Sequence, residues 1–457
     1  MTTAGPWAPG IRRVTFGVLS LVSLVAFEAM AVATAMPVAV RALDGLSLYA
    51  WSFTGFLVTT LFATAVAGQL CDRYGPLPAV AGGVGLFAVG LALAGAAGSM
   101  APFVTGRLVQ GLGAGAILVG LYVLVGQVYP DEFRPRVFSY VSAAWVLPAV
   151  IGPLVAGTVA EQLSWRWVFY GLLPLVVVPL ALLSRPLARA GPVAMVERRP
   201  GRVRHAAALA VGAALLQLGG QQLEQQRPLL GAVGLAVGVA LVVPAVRRLT
   251  PTGTLRSRRG LPSVVALRGL QAGAFFGIEA FLPLMLVEHR GLSATLAGMC
   301  LTVAALGWSA GSWWQGRPGL STDRQRLAVV GTTTVLVGFG VTSLALVDRL
   351  PALLAAVGWV VGGAGMGIIF STLSVLLFRL SPAGEEGANS AALQLSDALG
   401  CVLTVGLGGV LYAALRDPAG GAGAREFAAV FAVMVGVQVL AILVARRVLP
   451  RRAMLAG

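Results

Sequence analysis

The chain contains no lysine: all 33 of its basic residues are arginines, set against only 17 acidic residues. A phosphate-binding loop of the G-x-x-x-x-G-K-[ST] type therefore cannot be built, which excludes an ATP-hydrolysing motor of that kind. Cysteine is scarce. Cys71, Cys300 and Cys401 are odd in number and scattered, and such a set suggests neither a disulfide framework nor a metal site. Histidine is scarcer, with only His205 and His289, both expected in loops. No H-E-x-x-H pattern occurs, which removes one common route to metal-assisted hydrolysis. The longest polar stretches, 185–205 and 247–260, are arginine-rich linkers too short to bury a core. The expectation is a protein that is not an enzyme and carries no cofactor.

What the chain has in excess is apolar surface. It is 57% hydrophobic and 11% charged, whereas a soluble domain is about 45–50% apolar and about 25% charged. Lipid is the solvent that tolerates such a composition. The net charge of +16 does not point to nucleic acid, because the arginines fall in short clusters between long apolar runs rather than along one basic face.

A hydrocarbon core about 30 Å thick takes about 20 apolar residues in helix. That ruler predicts spans near 14–37, 49–70, 78–98, 101–122, 137–160, 166–184, 206–223, 229–246, 262–286, 294–315, 327–347, 351–378, 387–414 and 427–446. There are fourteen, or twelve without the pair at 206–246. The first lacks a small-residue cleavage site and reads as a span, not a removed signal. With the N-terminus inside, 24 arginines fall on the inner side and 7 on the outer, and Arg107 and Arg268 lie within spans. The asymmetry predicts an even number of spans and cytoplasmic termini.

Charged side chains inside spans cost at least about 2.5–3.5 kcal/mol near a helix centre, yet Glu28, Arg107, Arg268, Glu279 and Asp397 stand there. At 1.5 Å per residue, Glu28 and Arg107 lie roughly 14 Å and 9 Å below the outer surface, a depth at which they could share one aqueous cavity. Glu279 is about 10 Å from the outer end of its span and Asp397 about 15 Å from the inner end of its own. Arg268 is near enough to the inner end to snorkel. A carboxyl group kept from water resists ionisation and can load and release a proton near neutral pH. The alternative is that each acid is a structural partner, hydrogen-bonded within the bundle. Gly111, Gly113 and Gly115 follow Arg107, and Pro148, Gly152, Pro153 and Gly157 punctuate the fifth span, allowing close helix approach and bending. Gln217, Gln221, Gln222, Gln225 and Gln226 are expected to form a polar outer surface.

Several of these residues form ordered patterns. Gly68-Gln-Leu-Cys-Asp72-Arg73-Tyr-Gly75 is similar to the cytoplasmic loop motif G-x-x-x-D-R-x-G-R-R/K of the major facilitator superfamily. Pro76, Leu77 and Pro78 replace the basic residues that usually follow, with Arg134 and Arg136 of the next inner loop as substitutes. Arg107-Leu-Val-Gln110-Gly111-Leu-Gly113-Ala resembles the span 4 motif R-x-x-Q-G-x-G-A, and Gly152-Pro153-Leu-Val-Ala156-Gly157 the antiporter motif G-P-x-x-G-G. Trp165-Arg166-Trp167-Val-Phe169 is similar to the W-R-W-x-F signature, and Glu28, nine residues before Pro37, has the spacing of the span 1 pattern L-D-x-T-I-V-N-V-A-L-P, with Glu for Asp and little else kept.

The resemblance is to the superfamily's 14-spanner drug:proton antiporter branch. It implies an all-α polytopic membrane protein: a six-helix bundle over 1–184, basic linkers with an inserted helix pair over 185–260, and a second six-helix bundle over 261–457. The halves would rock about a midplane site. The implied activity is proton-coupled efflux of small hydrophobic or amphipathic compounds by a monomer in the cell membrane, driven by the proton gradient. Glu28, Arg107, Asp397 and Glu279 are the expected coupling residues. Gly68, Asp72, Arg73, Gly75, Gln110, Gly111, Gly152, Pro153 and Gly157 are the expected conformational ones. Export of a lipid or glycolipid by the same fold is the alternative.

Overall fold

A computed structural model describes residues 6–8, 11–130, 133, 137, 140–141, 143–191, 201–316, 323–382, 385–416 and 423–450. Among them, thirteen helices are long and apolar enough to cross a membrane. The chain divides into two compact units, Met1–Ala206 and Ala207–Gly457.

In the first unit the helices are α1 (Arg12–Ala42), α2 (Trp51–Tyr74), α3 (Pro76–Ala96), α4 (Met100–Val128), α5 (Val146–Val159) and α6 (Leu173–Arg189). The span expected at 137–160 is represented by α5, which runs on into a π-turn over Ala160–Ser164; residues 138, 139 and 142 of its first part lie outside the described residues. The span expected at 166–184 is present over Arg166–Arg189, as a five-residue helix, Arg166–Tyr170, followed by α6. Pro37 does not end the first helix. It sits inside α1, which continues to Ala42, because a membrane helix tolerates a missing N–H where its neighbours satisfy the backbone.

The second unit begins within α7 (Arg202–Glu224) and continues through α8 (Pro228–Leu249), α9 (Leu261–Glu288), α10 (Ala294–Gln315), α11 (Arg324–Ser343), α12 (Leu353–Leu380), α13 (Glu386–Leu415) and α14 (Ala424–Ala445). Here α9 packs on α13 and α14, as α1 packs on α5 and α6 in the first unit. Likewise α12 packs between α10 and α11, as α4 packs between α2 and α3.

Glycine sets these two central slabs. On α4, Gly106 and Gly113 abut the α3 backbone at Ala94 and Phe87, while Gly111 and Gly115 abut α2 at Phe56 and Thr60. On α12, Gly358 and Gly365 meet α11 at Thr342 and Val335, while Gly363 and Gly367 meet α10 at Ala304 and Trp308. The order of glycines and the helix each one faces repeat between the units. A Cβ at any of these positions would collide with a neighbouring helix, so the spacing is a steric condition for the slab. Helices α7 and α8 pack on each other through the same device, with Gly219 against Leu235 and Gly212 against Val242. The pair meets α13 through Gly220 on Val410 and Gln217 on Gly406. Gln217 is therefore buried within a helix, a correction to the outer surface expected for it.

Candidate functional site

Arg107 sits two turns into α4 and is held from three directions. Its Nη1 donates to Glu28 Oε1 on α1 and to Gln110 Oε1 one turn along α4 (3.0 Å), and its Nε donates to the Ser52 carbonyl on α2 (2.8 Å). The guanidinium also lies over the Phe56 ring, 4.5 Å from its centroid. Gln110 completes a triangle by donating from Nε2 to Glu28 Oε1 (3.3 Å). Glu28 and Arg107 are only 1% and 2% exposed. They share a depth as their spacing predicts, but they meet directly and are closed from solvent instead of facing across water. Both hydrogen bonds to the carboxylate converge on Oε1, and Oε2 is buried with no partner. The pair is thus fully charge-compensated and incompletely hydrogen-bonded.

In the second unit Arg268 does not snorkel. Its Nε donates to both oxygens of Asp397 on α13, at 2.7 and 2.9 Å, and its guanidinium lies 3.5 Å from the centroid of Phe370. Side-chain exposures of 14% and 23% for Arg268 and Asp397 make this pair wetter than the one in the first unit. Glu279, three turns beyond Arg268 on α9, is half-buried and makes no ion pair or hydrogen bond among the described residues.

The position on α12 that corresponds to Arg107 in the glycine repeat is Trp359. It is wholly buried and stacks on Phe275 of α9, with centroids 4.5 Å apart. Close by, Gln271 donates to the Met366 sulfur (3.3 Å), and Gln438 of α14 donates to Gln271 Oε1 (3.2 Å) and to the Thr332 carbonyl (2.7 Å). This neutral network was not anticipated. Its signal in the sequence was two glutamines in apolar helices, and a search confined to charges passes over them.

The loop and fifth-helix motifs occupy defined places. Gly75 closes α2 at φ +78°, and a Cβ there would meet the carbonyl oxygens of Ala190 and Gly191 at 2.8 and 2.9 Å. Only glycine meets both conditions. Asp72 and Arg73 are exposed, with Arg73 5.0 Å from the Tyr74 ring centroid, and Gly68 faces open space. Arg134 and Arg136, expected to answer Asp72, lie outside the described residues. On α5, Gly152, Pro153 and Gly157 are buried, and Gly152 rests against Met30 and Phe27 of α1. Trp165 packs edge-on to Phe103 and Phe169, while Arg166 donates to the Ala97 carbonyl (2.8 Å), fastening the ends of α3 and α4. His205 lies in the first turn of α7, not in a loop as expected, with its ring bonded to the Gly201 carbonyl, and His289 follows α9 with Asp348 at 3.3 Å. The three cysteines are buried and free.

Comparison with known proteins agrees with this architecture. The family model of the Major Facilitator Superfamily matches residues 18–341. Multidrug resistance protein 3 of Bacillus subtilis is 26% identical over 393 residues, covering 83% of this chain and 75% of its own. A Mycobacterium tuberculosis protein named "Probable multidrug-efflux transporter" is 27% identical over 436 residues, covering 89% and 88%. Among solved structures, a D-xylose–proton symporter superposes with a TM-score of 0.68 at 16% identity, over 96% of this chain and 98% of that one. The peptide transporter PepTSo gives 0.71 at 15%, over 95% and 96%; at such identities the likeness concerns the fold alone. With a family match across most of its length and repeated helix packing in both units, the chain belongs to the major facilitator superfamily and is a membrane transporter, not an enzyme.

Proposed function

We propose that this transporter exports small hydrophobic or amphipathic compounds across the cell membrane by proton antiport, with fourteen spans and both termini in the cytoplasm. The relatives named for multidrug resistance and efflux support the cargo class, and the arginine asymmetry supports the orientation. The observation that carries the coupling is the closed cluster of Glu28, Arg107 and Gln110. A proton arriving on Glu28 cancels the counter-charge of a buried guanidinium. Breaking a buried pair in this way costs about 3–5 kcal/mol, and separating α1 from α4 so that water reaches Arg107 relieves it. The proton therefore favours one arrangement of the helices and its departure the other, which is what alternating access requires.

Asp397 and Glu279 form the second acidic set in this reading. Asp397 is already matched by Arg268, leaving Glu279 to take up a proton or to face a positive charge on the cargo. Gly68, Asp72, Arg73, Gly75, Gly111, Gly152, Pro153 and Gly157 serve the conformational change. The six-helix bundles are 1–184 and 261–457, the inserted pair lies within 185–260, and the unit of function is the monomer. The proton gradient is the only energy source and no cofactor is needed.

The test uses proteoliposomes loaded with a fluorescent lipophilic dye. An imposed pH gradient is expected to drive dye movement in the wild type, and Glu28→Gln is expected to slow it at least tenfold while remaining monodisperse. Undiminished gradient-driven movement in Glu28→Gln removes Glu28 from the mechanism.

A further inference from the structure

At one end of the second unit two arginines from different helices, Arg324 and Arg379, are close enough for their charges to act on each other, and neither forms an ion pair among the described residues. Helices α10 and α12 run parallel, with Ser312 Oγ 2.8 Å from Ser371 Oγ. Helix α11 runs antiparallel to α12, with Gly358 against Thr342 and Gly331 against Ile369. The end of α10, the start of α11 and the end of α12 therefore share one face. They bring Gln315, Arg324 and Arg379 to it.

Arg324 is only 8% exposed. Its Nη1 donates to Gln315 Oε1 (2.7 Å), while its Nε is buried with no acceptor. The like charge of Arg379 acts on it electrostatically. Arg379 is itself exposed and makes no ion pair among the described residues. The adjacent acid, Asp323, is engaged elsewhere: its Oδ1 caps α11 by accepting from the Arg326 N–H (2.8 Å). A buried N–H without an acceptor is unfavourable, and a second guanidinium beside it adds repulsion. One anion relieves both.

The surroundings choose the kind of anion. Trp313 on the last turn of α10 is 67% exposed and Phe378 on the last turn of α12 is 59% exposed. An exposed tryptophan at the end of a membrane helix marks the headgroup level of the bilayer, and an exposed phenylalanine one turn from a helix end suits the acyl region beside it. We propose that Arg324, Arg379 and Gln315 bind the phosphate of an anionic phospholipid, with Trp313 and Phe378 against its acyl chains. The site uses none of the residues assigned to proton coupling and stands or falls separately from that reading.

The test titrates full-length protein in neutral detergent with phosphatidylglycerol, phosphatidylcholine or inorganic phosphate and follows the unfolding temperature. Phosphatidylglycerol is expected to raise it, with the other two inert. Arg324→Gln and Arg379→Gln are each expected to weaken the apparent affinity about fivefold, the effect of one basic residue near an anionic headgroup. Arg379 is exposed, so its variant keeps the test decisive if Arg324→Gln fails to fold. Equal stabilisation by phosphatidylcholine, or by phosphatidylglycerol in wild type and Arg379→Gln alike, overturns the site. Equal stabilisation by inorganic phosphate overturns the lipid assignment in favour of a free anion.

Discussion

Helices α4 and α12 are built on one steric plan and carry opposite chemistry. Gly106, Gly111, Gly113 and Gly115 answer to Gly358, Gly363, Gly365 and Gly367, each facing the equivalent neighbour. Yet where α4 places Arg107 against Glu28, α12 places Trp359 against Phe275. The slab accepts a large aromatic at this position, so its architecture does not demand a charge there. The buried pair in the first unit is an addition to the packing plan, retained despite its desolvation cost. The second unit shows what the same position looks like when packing alone is served.

The largest expected effect comes from removing one member of each centre. Arg107→Met leaves Glu28 buried and uncompensated, at a cost of about 3–5 kcal/mol. Trp359→Ala leaves a cavity of similar cost, about 3–5 kcal/mol. The comparison predicts that they differ in rescue: adding Glu28→Gln to Arg107→Met restores much of the thermal stability, while no neutralising second change restores Trp359→Ala. Unfolding temperatures of the single and double variants decide it; failure of Glu28→Gln to rescue means that the first site is held by shape rather than charge. Next in size, Gly111→Val and Gly363→Val are each expected to cost at least about 1–3 kcal/mol by overpacking, and a large difference between them would break the structural equivalence. Gln438→Leu leaves Gln271 Oε1 without its donor and is expected to cost about 1–3 kcal/mol, read in the same assay. Asp397→Asn is expected to cost less than Arg107→Met, because partial hydration of the pair lowers the penalty for leaving Arg268 unpaired below the about 3–5 kcal/mol of a fully buried pair. A loss as large as that of Arg107→Met would show the two pairs to be equally sequestered.

Helix positions were legible because lipid imposes one length and one composition on every span. The ends were less so: Pro37 reads as a terminus, and α1 runs through it to Ala42. The common depth of Glu28 and Arg107 followed from counting residues along two helices. The pairing of Arg268 with Asp397 did not, because depth fixes neither which faces of α9 and α13 meet nor whether a side chain reaches inward or toward the surface. The amides of Gln271 and Gln438 carry no formal charge and give little warning of a buried network. The glycine repeat is present in the sequence in plain view, but its meaning depends on knowing that α4 and α12 are each wedged between two helices.

At Gly106, Gly111, Gly113 and Gly115 the seams of the α4 slab set backbone against backbone, with side chains such as Leu108 and Val80 filling the rest. By contrast, α1 meets α5 through the side chains of Phe27 and Met30 against Gly152, and each helix carries an internal proline, Pro37 and Pro153. Mechanical compliance in this unit therefore resides in the α1–α5 wall. Glu28 is mounted on the yielding element and Arg107 on the stiff one, an arrangement in which a change of charge between them is converted into displacement of a single wall while the slab keeps its shape.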